Sequence, residues 1–223
     1  ILNVKQLSRL LVVGLLVFGL NNIQAQDENN PWQVSFGVNA IDVYPTGDED
    51  AITNFGFETG SFGSEYFNLN DHWNILPSIS YVAVSRSVGD NFSFGVRGTL
   101  NRIDKLGDAS AEDLSHYAVD GTLKYQILKN TVIDPFIEVG GGYTWVDEIG
   151  AGTVNGGIGA NIWFSENIGL TLQTSYKHAC EDFLVKHFQP MAGIAVKFGG
   201  TDTDGDGIYD KDDACPEVPG LEA

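Results

Sequence analysis

The sequence predicts an all-β protein: an eight-stranded antiparallel up-and-down transmembrane β-barrel with a C-terminal calcium-binding linker. Three observations predict it. Eight short runs between residues 32 and 198 alternate apolar with polar residues, their connections alternate short with long, and an ordered string of aspartates follows at once. The runs cover 32–43, 73–85, 91–102, 115–128, 132–146, 153–164, 168–177 and 187–198. They hold 10 to 15 residues each, and a tilted spanning strand needs roughly 9–11.

The chain divides into three parts. In residues 1–25, Lys5 and Arg9 precede an apolar run over 10–20, and Ile23-Gln24-Ala25 offers a cleavage site before Gln26. This reads as a secretory signal peptide. Eleven apolar residues fall short of the roughly 20 that a spanning helix needs. No cysteine sits at the cleavage site, so a lipid anchor there is not expected. Residues 26–198 form the expected barrel and 199–223 the stalk. A formal charge of −18 leaves no basic face for phosphate and excludes nucleic acid as a partner.

Short connections are expected after the second, fourth and sixth runs, around Gly89-Asp90, Lys129-Asn130 and Ser165-Glu166-Asn167. The others are longer, led by 44–72. Short turns on one side and long loops on the other fit an even-stranded barrel whose termini share the short-turn side. A loop as long as 44–72 is seldom idle, so it is the expected element for contact with other membrane proteins.

Each run has two faces. Val119, Leu123, Tyr125 and Ile127 oppose Ala118, Asp120, Thr122, Lys124 and Gln126; Val154, Ile158, Ala160 and Ile162 oppose Asn155, Gly157, Gly159 and Asn161. The seventh run sets Ile168, Leu170, Leu172 and Tyr176 against Gly169, Thr171, Gln173 and Lys177, whereas the second is apolar on both sides and has no clear phase. A soluble barrel would turn the apolar face inward. Two features favour the reverse. The polar face carries few charges (Arg97, Asp120, Lys124, Glu138, Lys177, Lys197) among many glycines, which suits a lumen only wide enough for side chains. Apolar-face aromatics also gather in two bands: Trp32, Phe92, Tyr125, Phe164 and Phe198 near the short turns, and Tyr117, Tyr143, Trp145, Tyr176 and Phe188 near the loops. Such girdles mark the edges of a bilayer. Inside it, Arg97, Asp120, Lys124 and Glu138 must pair, as a polar network that either plugs the lumen or gates a small pore.

Residues 201–216 read T-D-T-D-G-D-G-I-Y-D-K-D-D-A-C-P. Asp202, Asp204 and Asp206 occupy positions 1, 3 and 5 of a calcium loop, with Gly207 at the sharp turn. Ile208 offers its carbonyl at position 7, Asp210 stands at position 9 and Asp213 at position 12. Hard oxygen ligands at this spacing converge on one hard cation, so calcium is the expected cofactor, with an affinity on the order of 10⁻⁴–10⁻³ M. Without it, the packed carboxylates repel one another. Cys180 and Cys215 fall at opposite ends of the barrel and are not expected to pair.

Catalysis is not expected. His72, His116, His178 and His187 all fall near the loop side, but Ser115 and His116 are neighbours on a strand and face opposite ways. No G-x-S-x-G, H-E-x-x-H or phosphate-cradling loop is present.

Two resemblances add to this reading. The last run ends Gly193, Val196, Phe198, similar to the closing-strand signal of outer-membrane β-barrels, though Met191 stands where that signal is usually polar. The string from Asp202 to Pro216 resembles a thrombospondin type-3 calcium repeat at every defining position. Signal peptide, barrel and repeat in this order resemble the OmpA-like outer-membrane protein family. That resemblance implies a stalk leading to a peptidoglycan-binding domain, which would lie beyond residue 223, and a partner for Cys215 there as well. The expected role is an outer-membrane structural anchor or scaffold, its stalk in the periplasm and its barrel in outer-membrane lipid. The alternatives are an accessory subunit of an outer-membrane assembly or secretion machine, or a small gated pore.

Overall fold

In the computed structural model, residues 30–49, 51–89, 91–128, 131–205, 208–210 and 213–220 are described; the expected signal peptide, Asp206 and Gly207 lie outside them. Among the described residues nine strands form: β1 (Trp32–Ile41), β2 (Asn74–Ile75), β3 (Tyr81–Gly89), β4 (Phe92–Leu106), β5 (Ala109–Gln126), β6 (Ile133–Val146), β7 (Ile149–Trp163), β8 (Ile168–Ala179) and β9 (His187–Phe198). Each long strand pairs antiparallel with the next, and β9 returns to β1 from Trp32 opposite Phe198 to Asn39 opposite Met191. Eight strands thus close a ring, while β2 is a two-residue patch on the end of β1.

Closure depends on glycine at one point. Gly37 and Gly193 face each other across the β1–β9 seam. A Cβ on Gly193 would collide with the Phe36 carbonyl and with the hydroxyl of Tyr81, whose ring is buried on the inner side.

The apolar faces point out. Val119 is 52% exposed and Ile158 63%, whereas Arg97 is 2% exposed and Asp120 and Lys177 are fully covered. Trp32, Phe92, Tyr125 and Phe198 are exposed near the short turns, and Tyr117, Tyr143 and Trp145 near the loops. This is a soluble barrel turned inside out, and a continuous apolar skin of this kind is stable only against lipid.

The second run departs from expectation. Instead of one strand over 73–85, the chain makes β2, leaves the ladder over 76–80, and resumes at Tyr81. Pro77 has no N–H to give a ladder, so the strand breaks there. Asn39 fills the gap: its Nδ2 donates to the Ser80 carbonyl (2.7 Å) and the Leu100 carbonyl (2.9 Å), and its backbone N–H to Ser80 Oγ (2.8 Å). The structure also phases this strand, with Tyr81 and Ser85 inward and Val82 and Val84 outward.

Two expected long loops are turns. β4 runs on to Leu106 and β5 begins at Ala109, joined through Gly107 (φ +61°) and Asp108; β6 and β7 join through Asp147 and Glu148. Beyond Arg102 the outer positions become polar, so the apolar alternation fades although the ladder continues. The strands rise clear of lipid while Ile103 and Leu114 still point inward. With Ile41, Val43, Phe57 and Val185 they form an apolar cluster across the loop end of the barrel.

The first connection, carrying the short helix α1 (Ala51–Asn54), folds back onto the outer wall. Phe62 and Tyr66 pack on Phe188 at ring-centroid distances of 5.3 and 5.4 Å, so Phe188 is covered by the loop instead of standing in the outer girdle. A salt bridge of 2.9 Å from Lys186 to Asp48 ties this loop to the 180–186 connection.

We predict that Gly193→Val blocks ring closure, whereas Gly98→Val, whose Cβ would meet nothing within 4 Å, leaves it intact. Urea unfolding in lipid vesicles should place the first variant at least about 1–3 kcal/mol below the second.

Candidate functional site

Register alone brings the interior charges together. Arg97 on β4 stands opposite Asp120 on β5, and Lys124 on β5 opposite Glu138 on β6. Gly142 lies opposite Asp120 on β6, where a Cβ would come within 2.1 Å of the Val119 carbonyl and 2.6 Å of Asp120 Oδ1. The Arg97 guanidinium reaches Glu138 Oε1 at 2.6 Å and Asp120 Oδ2 at 3.4 Å. Lys124 Nζ lies 3.8 Å from Glu138 Oε2 and 4.4 Å from the centre of the Phe136 ring.

All four residues expected in the lumen therefore belong to one cluster, and a fifth joins them. Lys177 on β8 places its ammonium 2.9 Å from Asp120, which also accepts from Asn155 Nδ2 at 2.8 Å. Three cations thus meet two carboxylates, and the Phe136 ring face takes part of the excess positive charge at Lys124. Lys177 was legible as an inward residue, but nothing in the order of the chain shows that β5 and β8 meet across the lumen.

Polar layers continue above and below. Towards the loops, Gln189 donates to Asn39 Oδ1 (3.2 Å) and Thr99 Oγ1 (3.1 Å), and the His116 and His187 rings stand nearly perpendicular at 5.2 Å. Towards the short turns, Trp163 Nε1 donates to Asp134 Oδ2 at 2.6 Å, and Lys197 Nζ lies 4.8 Å from the centre of the Trp163 ring. Trp163 and Phe136, two aromatics inside the barrel, were not singled out from the sequence; their parity with Asn161 and Glu138 was the available signal. Chemically, the arrangement is a set of crossing side chains that brace opposite walls.

The histidines make no catalytic set. His72 stacks on Tyr44 at 4.0 Å, and His178 lies beside Tyr176 on the outer face. Cys180 lies at the loop end and Cys215 beyond the other, both as exposed thiols.

Of the expected calcium ligands, Asp202, Asp204, Ile208, Asp210 and Asp213 are described. The loop doubles back on itself. Asp210 accepts from the backbone N–H and the hydroxyl of Thr203, both at 2.7 Å, and its own N–H donates to the Thr201 carbonyl at 2.9 Å. Asp202 Oδ1 accepts from the N–H of Gly205, which has φ +76°. Asp213 Oδ1 accepts from the N–H of Cys215, while its Oδ2 is buried with no hydrogen-bond partner. Among the described residues no three carboxylates gather where they could hold an ion, although a buried carboxylate oxygen without a donor is a feature that fits a cation ligand. The loop also touches the barrel. Asn30 Nδ2 donates to the Tyr209 hydroxyl at 3.1 Å, and Asn167, in the turn before β8, donates to Asn30 Oδ1 at 3.3 Å.

Ring, apolar skin and braced interior define the class: an eight-stranded barrel with the fold of bacterial outer-membrane barrels. The solved outer membrane protein OprG from Pseudomonas aeruginosa superposes with a TM-score of 0.53 at 12% identity, covering 78% of this chain and 98% of that one. Neisserial surface protein A superposes with a TM-score of 0.51 at 13% identity, covering 75% and 97%. No family model matches the chain, and no curated protein matches it.

Removing one buried partner should cost more than removing the pair. Asp120→Ala should destabilise the barrel by about 3–5 kcal/mol by stranding Lys177 and half of Arg97's contacts. Adding Lys177→Met to it should recover part of that loss in the same unfolding measurement.

Proposed function

We propose that this protein is a structural anchor of the outer membrane, its barrel embedded in lipid and its stalk directed into the periplasm. The observation that carries this reading is the inverted barrel: an apolar skin outside, interlocked ion pairs inside, and an apolar cluster over the loop end. A conduit needs an open polar path, whereas here Arg97 and Lys177 cross the lumen to partners on other strands. An anchor needs rigidity, which paired buried charges supply. Nothing in the arrangement of the described side chains calls for a chemical step.

The stalk extends this role. In this reading Asp202, Asp204, Asp206, Asp210 and Asp213, with the Ile208 carbonyl, hold one calcium ion that stiffens the chain where it leaves the membrane. The connection to the periplasm or cell wall then runs through a segment ordered by the ion instead of a repelling run of carboxylates.

Two measurements test the proposal. The chain reconstituted in planar bilayers should give no steady conductance; channels that fall on Arg97→Ala or Glu138→Ala would replace the anchor with a gated pore. Calcium titration by calorimetry should show one site with a Kd on the order of 10⁻⁴–10⁻³ M. Asp213→Ala should abolish that heat and expose 199–220 to protease, and an unchanged titration would remove calcium from the stalk.

A further inference from the structure

The outer wall is dented where the first loop covers it. The β1–β9 ladder runs to Asn39 opposite Met191 and resumes only as a bridge between Asp42 and Phe188. Ala40 and Pro190 lie in the gap, and Pro190 has no N–H to donate. A groove of about 430 Å³ opens there, with an almost wholly carbon lining. Its floor is outward side chains of the barrel, among them Val38, Ile158, Leu172 and Ala192; its roof is Tyr66, Phe67 and Trp73. The roof is tied down, because the Tyr66 hydroxyl bonds Thr174 Oγ1 and Trp73 Nε1 donates to the Tyr66 carbonyl at 2.8 Å.

We propose that this groove holds one hydrocarbon chain of an outer-leaflet membrane lipid, clamped between the barrel wall and the 44–73 loop. The inference rests on the membrane reading above. The floor is continuous with the apolar skin, so the groove opens sideways into the phase that supplies the occupant. Its roof also exposes apolar surface to that phase, with Phe67 82% exposed. Among the described residues no cationic side chain lines it. Recognition is therefore of the chain and not of a phosphate headgroup, and it should be indifferent to headgroup charge and to salt. An apolar chain entering a preformed, water-poor groove needs no polar partner.

The test uses the described chain's own tryptophans, with the full protein in vesicles of phospholipid brominated along its acyl chains. Trp32 and Trp145 stand on the outer girdles and should be quenched in any membrane-spanning orientation. Trp73, read as the difference between the parent protein and Trp73→Phe, should be quenched as well, equally with zwitterionic and anionic lipid. Ala192→Phe, which fills the groove, should abolish the Trp73 component, and Val119→Phe on β5 should leave it. Native mass spectrometry of the detergent-extracted protein should show one retained lipid, lost in Ala192→Phe. Quenching of Trp32 and Trp145 but not Trp73 overturns the groove and leaves the membrane reading standing; quenching of none overturns both. Trp73 quenching that survives Ala192→Phe reduces it to general lipid contact and overturns the clamp. A photoreactive residue in place of Leu172 that captures a polypeptide in cells, in place of lipid, overturns the choice of occupant.

Discussion

A sheet placed in hydrocarbon has no water to satisfy an open edge, so every backbone group must find a partner within the protein. The β1–β9 seam meets that demand, and the rest of the structure follows from it. Closing eight strands into a ring fixes an interior only a few side chains wide. Along the seam, Gly193 leaves room for the Tyr81 hydroxyl and the Phe36 carbonyl, and Gly37 for the Ala192 carbonyl. Where the ladder fails, at Pro77 and at Pro190, the protein repairs it in different ways. Near Pro77 the side chain of Asn39 substitutes for the missing strand, whereas at Pro190 the first loop covers the defect from outside.

A narrow polar interior then sets its own terms. Charges withdrawn from water are stable only with partners at hydrogen-bonding distance. Arg97 meets the need with two carboxylates, and Asp120 with two cations and an amide. Glycine is the counterpart of these long side chains: a Cβ at Gly142 would meet both the Val119 carbonyl and the Asp120 carboxylate. The alternation of bulky charge and bare backbone around the ring is thus one packing solution, in which each residue type requires the other.

Much of this was legible in the sequence, because a half-lipid, half-polar strand writes its phase with period two. Val119 against Asp120, and Ile158 against Gly157, declared their sides before any coordinates. The strand ends were less legible. Over 103–114 the outer positions turn polar where the sheet leaves the lipid, so the pattern stops while the hydrogen bonds continue. The second run, apolar on both sides, hid the break at Pro77 because its alternation carried no phase to interrupt. The meeting of Lys177 with Asp120, across three strand steps of a closed ring, is set by barrel curvature, which no local pattern encodes. The same holds for the first loop, where nothing in the local sequence shows that Phe62 and Tyr66 pack on Phe188.

The two ends of the barrel differ in their mix of contacts. At the loop end, aromatic packing on Phe188 is joined by the Tyr66 hydroxyl on Thr174 and by the Asp48–Lys186 salt bridge. At the other end Tyr209, Asn30 and Asn167 form polar contacts between the chain after β9 and the turn before β8. Tyr209 lies between two expected ligand positions, the Ile208 carbonyl and the Asp210 carboxylate. An ion held by both would fix the backbone on either side of it, and with that the direction in which its hydroxyl meets Asn30. In the proposed reading, the order that a cation would impose on this short acidic loop would be passed to the barrel rim through the Tyr209 hydroxyl.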